Sequence, residues 1–384
     1  MQGNVTGNRI LAVHLLNDLS GSPYVLRQSL EVLRDAGHVI HLFTATPSGH
    51  GFLSNIDGIK QIPIFYRWSK NRWITLLIFL YSQCVLFFRI LFYLKKDDKV
   101  YINSLLPFGA ALAAWMRRKQ VIYHFHEVSI KPILLKKFLI SIAGFTASQG
   151  IFVSHDLAKR TGFKKPYSIV YNSLPARFIE KAEENFRQHQ HLPFHILMIC
   201  SLKKYKGVDE FLECARRLKS YDFTLVVNAT QEAIDSYFSG VSLPSNIAIF
   251  PAQKDVHAFY RKADLVMNLS RPDGWIETFG MTILEAMYYK KPVIIPPVGG
   301  ITELVEHEAD GFRVDSRNMD ELCLRIEMLA ENGSLYAAFS KNAFLKTACF
   351  GPVQFRYGIL DIFQKMDTPI KAKEPVFNPH FPFI

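Results

Sequence analysis

From Ser270 to Asp315 the chain reads S-R-P-D-G-W-I-E-T-F-G-M-T-I-L-E-A-M-Y-Y-K-K-P-V-I-I-P-P-V-G-G-I-T-E-L-V-E-H-E-A-D-G-F-R-V-D. Two carboxylates, Glu277 and Glu285, stand eight positions apart around a turn at Gly280. A helical run follows, then a β-branched run over 292–295, then the pair Gly299-Gly300. A turn that opens a helix beside a buried strand gathers backbone N–H groups and carboxylates at the edge of a parallel sheet, the layout of a ligand cradle. The same spacing also fits a solvated helix residue (Glu285) and a partner for the helix dipole (Glu277), so the pair takes its meaning from its surroundings.

Working outward, strand and helix patterns alternate along most of the 384 residues. Residues 9–16 form an apolar run for a buried strand, and N-D-L-S-G-S follows as a polar loop. Ser22 before Pro23 reads as a helix N-cap, with Gly37 as the stop and 39–44 as the next strand. Further strands are expected at 99–103, 121–125, 150–154 and 168–171, with helices at 108–117 and 156–161. A polar stretch over 177–191 suits a linker or an exposed hinge helix. The pattern restarts with strands at 194–200, 223–228, 247–250 and 265–268, a helix at 208–218 and a last helix at 353–366. This predicts an α/β protein of two doubly wound, Rossmann-like parallel sheets. The domains fall at 1–180 and 190–350, with a helix and tail at 351–384 whose 375–384 end is too apolar to stand free in solvent.

With 49% apolar residues the chain buries sizeable cores and is not a disordered protein. Cys84, Cys200, Cys214, Cys323 and Cys349 are scattered without ligand-like spacing, so reduced core thiols of a cytosolic protein are expected, not a disulfide framework or a zinc site. The N-terminus has no signal-peptide pattern. Residues 1–190 hold 24 Lys/Arg against 11 Asp/Glu, and residues 191–384 hold 21 against 23. A basic first half points one domain towards membrane lipid, nucleic acid or a phosphorylated substrate. No RNA- or DNA-binding motif accompanies it, and nucleic acid is not an expected partner.

Residues 73–94 have the length of a membrane span. Ser82, Gln83 and Arg89 interrupt them, and Arg67, Lys70, Arg72, Lys95, Lys96 and Lys99 flank them. A span would put the halves of one sheet on opposite sides of a bilayer, so a helix packed on the sheet and dipping into the interface is expected. The K-P-I-L-L-K-K-F-L-I stretch, with Lys131, Lys136 and Lys137, fits a membrane-surface helix and an ordinary amphipathic helix equally well.

Ligands of parallel sheets bind beyond the carboxyl ends of the strands, which singles out the loops at 20–22, 126–127, 203–207, 275–281 and 298–302. Two belong to the first domain and three to the second, which puts a site in the cleft between them. In S-L-K-K-Y-K-G, Lys206 precedes Gly207 and a helix, where its ammonium can meet a phosphate; Lys203 and Lys204 add positive potential. Phe279-Gly280-Met281-Thr282 would present backbone N–H groups at the helix start. Glu285 suits a ribose diol and Glu277 sugar hydroxyls, because a carboxylate accepts paired hydroxyl bonds. Gly21-Ser22, between strand and helix, reads either as an anion site or as an ordinary turn. His124 and His126 share a strand face with no third ligand and there is no D-x-D, so no metal is expected.

With this context, the stretch resembles the E-x7-E motif of retaining glycosyltransferases, specifically glycosyltransferase family 4, bacterial surface-polysaccharide type, with the GT-B fold. The resemblance covers most of the chain. N-D-L-S-G-S-P-Y-V-L with D-A-G-H-V-I is similar to the family's first-domain glycine loop, and V-I-Y-H-F-H-E to its strand ending in a histidine. V-Y-N-S-L-P is similar to the passage towards its linker, K-G-V-D-E-F-L to its phosphate loop, and P-V-G-G-I-T-E-L-V to its glycine pair. It implies two domains facing across a cleft, with the C-terminal helix crossing back to the first.

The resemblance further implies that Glu285 binds the nucleotide ribose and Glu277 the donor sugar. Thr278, Phe279, Gly280, Met281 and Thr282 would line sugar and diphosphate, Lys206 would neutralise the leaving phosphate with Lys203 beside it, Gly21 and Ser22 would admit the ligand closely, and His126 would stand near the reaction centre. Ser201 departs from the arginine usual five positions before Lys206. The implied reaction moves a hexose from a nucleotide diphosphate sugar, UDP-linked by preference, to a saccharide hydroxyl with retention and without metal or other cofactor. The basic first domain suits a polyprenyl-diphosphate-linked saccharide acceptor and an anionic membrane surface, with the protein cytoplasmic and peripheral on the inner membrane. The alternatives are a nucleotide-sugar epimerase or phosphorylase of the same fold, and a non-catalytic binding protein.

Overall fold

The structure, a computed structural model, describes residues 8–47, 49–69, 71–127, 129–184 and 193–366. Lys70, the end of the polar linker and the 375–384 tail lie outside the described residues.

The first domain runs β1 (Arg9–Leu16), α1 (Gly21–Asp35), β2 (Val39–Ala45), β3 (Lys60–Pro63), α2 (Arg72–Tyr93), β4 (Lys99–Asn103), α3 (Phe108–Met116), β5 (Gln120–Phe125), α4 (Ile133–Thr146), β6 (Gln149–Phe152), α5 (His155–Thr161) and β7 (Tyr167–Ile169). Its strands lie in the order β3-β2-β1-β4-β5-β6-β7 and pair in parallel. β1, β4 and β5 are buried along nearly their whole length, as helices on both faces of a sheet require. A hinge helix, α6 (Ala176–Glu184), leads out.

The second domain runs β8 (His195–Cys200), α7 (Val208–Arg217), β9 (Asp222–Val227), α8 (Gln231–Tyr237), β10 (Ile247–Phe250), α9 (His257–Lys262), β11 (Leu265–Met267), α10 (Met281–Tyr288), β12 (Val293–Ile295), β13 (Phe312–Arg313), α11 (Met319–Glu331) and α12 (Gly333–Lys346). Its parallel order is β10-β9-β8-β11-β12-β13. In each sheet the winding reverses once, between β1 and β4 and between β8 and β11, and such reversals open the crevices in which α/β proteins bind ligands. The last helix, α13 (Pro352–Lys365), returns to the first sheet. Phe355, Ile359, Ile362 and Phe363 join Ile10, Leu26, Leu30 and Ile122 in one core, and Lys99 Nζ and Gln120 Nε2 bond the Phe363 and Met366 carbonyls at 3.0 Å.

Several expectations shift. The N-cap of α1 is Ser20, not Ser22, because α1 starts at Gly21; the Ser20 hydroxyl bonds Asp18 Oδ1 at 2.5 Å and leaves the helix end uncapped. β3 escaped sequence reading as a four-residue edge strand ending in Pro63. The cysteines are free but not all core thiols: Cys84 and Cys349 are exposed, Cys84 on the outer face of α2, and only Cys214 is buried. In α2 two of the three polar interruptions face inward, and the third, Arg89, is exposed and bonds the Pro63 carbonyl at 2.6 Å. Ser82 and Gln83 are buried with Phe79, Leu86 and Ile90, and Gln83 Oε1 accepts the Gly109 N–H at 3.1 Å. Trp73, Leu77, Tyr81, Phe88 and Phe92 face outward.

Candidate active site

The loop after β8 folds into one turn of 3-10 helix over Lys204–Lys206 and ends at Gly207. Gly207 has φ 79° and sits where a Cβ would strike the Leu269 backbone, so only glycine fits. This turn drives Lys206 into the loop that follows β11. Its Nζ bonds Glu277 Oε1 at 2.5 Å and stands 4.9 Å from the Trp275 ring, which stacks on Tyr205. Ser270 Oγ donates to the same carboxylate oxygen at 2.6 Å and Asn268 Nδ2 at 3.4 Å. All three donors converge on Oε1, and none of them bonds Oε2.

The Lys206 and Glu277 side chains are 15% and 13% exposed. Burial alone would push the Glu277 carboxyl up. The Lys206 charge, with hydrogen bonds from Lys206, Ser270 and Asn268, outweighs it and holds Glu277 below the usual carboxylate range. Lys203 and Lys204 are exposed beside the pair, with no ion-pair partner among the described residues. At Ser201, in place of the arginine, no cation stands.

Beyond Glu277 the chain turns into α10. The Thr278 carbonyl accepts the Ser154 hydroxyl of the first domain at 2.7 Å. The Phe279 ring is buried against Tyr171 and Phe350, which leaves its backbone as the part able to face a ligand. Gly280, at φ 103°, precedes α10, and no side chain caps Met281 and Thr282 in the first turn. Glu285 follows on α10, where Tyr260 Oη donates to its Oε2 at 2.5 Å. Burial, opposed by that bond, pushes its carboxyl up to about 7. The charge of Glu285 reaches Tyr24 of α1, whose hydroxyl is pushed up by burial and then by this carboxylate.

On the first-domain side Asn103, at the end of β4, is the hub. Its Oδ1 accepts His126 Nε2 at 2.8 Å, and its Nδ2 donates to the Ser22 carbonyl at 3.2 Å and to His14 Nδ1 at 3.0 Å. Burial, with the neighbouring His124 and His14, depresses the His126 imidazole well below its ordinary value, so it is neutral and fixed in one tautomer. His124 bonds Tyr101 Oη at 2.7 Å inside the core and is pushed down to about 3 by burial. Gly21 opens α1 with nothing within 4 Å of where a Cβ would stand. A cavity of about 280 Å³ between Asp18, Leu19, Ser20, His50 and Asn228 joins the two domains here. No group of three or more His, Cys, Asp and Glu suited to a metal occurs among the described residues.

The glycine pair has a packing role. A Cβ on Gly299 or Gly300 would strike the Glu277 or Thr278 carbonyl, and on Gly300 also Ser154. The next turn carries Glu303, which accepts the His155 and Asp156 N–H groups at 3.0 and 2.8 Å and Tyr171 Oη at 2.8 Å. Loop, glycine pair and first domain are thus clamped together.

Sequence reading missed Asn103, Ser154, Tyr260, Asn268 and Ser270, and singled out Trp275 only as the start of a loop. Asn268 and Ser270 carried a signal, being polar residues directly after an apolar strand. Tyr260 carried none, because its meeting with Glu285 exists only in three dimensions.

Residues 181–346 match the family model for glycosyl transferases group 1. The chain aligns with the amylovoran biosynthesis glycosyltransferase AmsK of Erwinia amylovora, at 26% identity over 159 residues, 38% of this chain and 39% of that protein. It also aligns with the N,N'-diacetylbacillosaminyl-diphospho-undecaprenol alpha-1,3-N-acetylgalactosaminyltransferase of Campylobacter jejuni, at 27% identity over 153 residues and 38% of each chain. The chain therefore spans well under half the length of these curated relatives. Over the whole fold it is similar to Anabaena HepE in complex with UDP-glucose, with a TM-score of 0.74, 18% identity, and coverage of 93% of this chain and 100% of that one. The fold is GT-B: two parallel-sheet domains with the C-terminal helix crossing back.

Gly300→Ala tests the clamp. It is expected to lower stability by about 1–3 kcal/mol through overpacking, read as a reduced thermal midpoint; an unchanged midpoint would contradict the packing described.

Proposed function

We propose that this protein is a retaining glycosyltransferase that moves a hexose from a nucleotide diphosphate sugar, UDP-linked by preference, to a hydroxyl of a saccharide carried on a lipid diphosphate. The reaction belongs to surface-polysaccharide synthesis at the cytoplasmic face of the inner membrane. The observation that carries this reading is the Lys206–Glu277 contact within the segment that matches the group 1 model. The names of the aligned proteins supply the substrate classes: amylovoran biosynthesis, a diphospho-undecaprenol acceptor, and UDP-glucose bound to the structural neighbour.

In this reading the diphosphate lies between Lys206 and the uncapped start of α10. As the sugar–phosphate bond breaks, negative charge grows on the departing phosphate. A lysine that leaves Glu277 for that oxygen, together with the helix N–H groups, acts on the transition state more than on the bound donor. Lys203 adds to the field. Glu277 holds sugar hydroxyls through Oε2, and Glu285 holds the ribose diol. Neutral His126, held by Asn103, faces the sugar from the other domain. Positive charge at the diphosphate comes from these groups, so no metal is required.

For the membrane, α2 lies on α3, and α3 on α4. Their outer surface carries Trp73, Phe88, Phe92, Trp115, Leu134 and Phe145, with Lys95, Lys96, Arg117 and Arg118 around it. α2 is long and apolar enough to cross a membrane by length and composition, with a mean hydropathy of 2.0. Its Leu86 and Ile90 are nevertheless buried in the first core, which favours docking parallel to the surface.

Lys206→Ala and Glu285→Ala are expected to keep the folded circular-dichroism spectrum and to lower kcat/KM by roughly a hundredfold or more, measured as nucleotide release from a UDP-sugar panel. EDTA should leave the wild-type rate unchanged; wild-type rates in both variants would sink the assignment. The protein should also sediment with anionic vesicles at low salt and lose this on Trp73→Ser with Phe92→Ser. Absence of sedimentation removes the membrane part alone.

A further inference from the structure

The loop after β5 holds a carboxylate that the donor side does not use. Glu127 follows His126, and its Oε2 is shut off from water with no hydrogen-bond partner among the described residues. A buried polar atom left unpaired is costly, and beyond the end of a sheet strand such an atom marks a place for a ligand. Burial pushes the carboxyl up to about 7, opposed only by its own backbone N–H, and no charged side chain contributes. The other unpaired first-domain atoms, on Gln28, Thr44, Tyr123, His124 and Asn172, belong to neutral side chains, and Tyr123 and His124 lie wholly inside the core. Glu127 instead lies past the end of its strand.

The loop it begins touches the donor side. Two residues on, Ser129 Oγ accepts the Ile276 N–H at 3.4 Å, and Ile276 directly precedes Glu277. Glu127 therefore belongs to the first-domain half of the junction whose second-domain half is the Glu277–Lys206 pair.

Resting on the proposed function, we infer that Glu127 is the acceptor-side ligand: its carboxylate accepts a hydrogen bond from the saccharide hydroxyl that attacks the donor sugar. A carboxylate donates nothing, so a hydroxyl bound to it presents its hydrogen there and keeps its lone pairs for the anomeric carbon. An occupant lacking the hydroxyl leaves Oε2 unpaired, and this selects for hydroxylated acceptors. Glu127 thereby serves both to orient and to discriminate.

The test uses the full chain with a UDP-sugar that the wild type consumes and a panel of octyl hexosides as acceptors. Glu127→Gln is expected to lower acceptor kcat/KM about tenfold or more while calorimetry gives the wild-type affinity for UDP; Glu127→Asp recovers part of the loss. Wild-type acceptor kcat/KM should rise from about pH 6 to about pH 8 as the carboxyl ionises, and this limb should be missing in Glu127→Gln. A Glu127→Gln variant with wild-type kcat/KM and an intact limb overturns the inference alone, as does loss of UDP binding with the folded circular-dichroism spectrum kept, which makes Glu127 part of the donor side. A wild type that releases nucleotide but glycosylates no octyl hexoside contradicts a saccharide hydroxyl as the occupant. A wild type that consumes no UDP-sugar overturns the glycosyltransferase reading itself.

Discussion

The contact between Lys206 and Glu277 organises the second domain. It joins the loops that leave β8 and β11, the two strands flanking the point where the winding of the sheet reverses. Each feature around it serves to make it possible. Gly207 lets the 3-10 turn close on the Leu269 backbone, Trp275 and Tyr205 wall the pair off from water, and Ser270 and Asn268 share the same carboxylate oxygen. In so sheltered a place a charge is tolerated only when paired. An anionic ligand that takes the lysine must leave Glu277 something else to accept, and sugar hydroxyls meet that need.

The pair is also tied to the other domain. The backbone just past Glu277 is held by Ser154, and the glycine pair that lies on it continues into Glu303, which closes the N-terminal turn of α5. Within the first domain, Asn103 links the end of β4 to His126 and to the start of α1. The two halves of the cleft thus meet through side-chain bonds to backbone, and a shift of one domain moves the groups around Glu277 directly.

Much of this was legible in the sequence. Alternating apolar strands and capped or glycine-stopped helices placed the strands of both sheets to within a residue or two, apart from the short edge strands β3 and β13, and loops placed after strands singled out Lys206, Glu277 and His126 as candidates. What escaped was set by contacts between distant parts of the chain. Phe279 looked like a ligand-facing residue, yet its ring goes to the core because Tyr171 and Phe350 arrive there from elsewhere. Gly299-Gly300 looked like part of a ligand cradle, and its tight fit is against Thr278 and Ser154. Ser20 took the N-cap because α1 starts at Gly21, which puts Ser22 inside its first turn. In α2, Ser82 and Gln83, which seemed to interrupt an apolar helix, lie on its inward face, while Arg89 stays outside, a division that a hydropathy pattern cannot reveal.

The central claim is that Lys206 exchanges Glu277 for a diphosphate. A crystal structure with UDP bound tests it most directly. The account predicts Lys206 Nζ on the β-phosphate, the start of α10 facing the diphosphate, and Glu285 on the ribose hydroxyls. UDP bound elsewhere, or bound here with Lys206 still on Glu277, would contradict it.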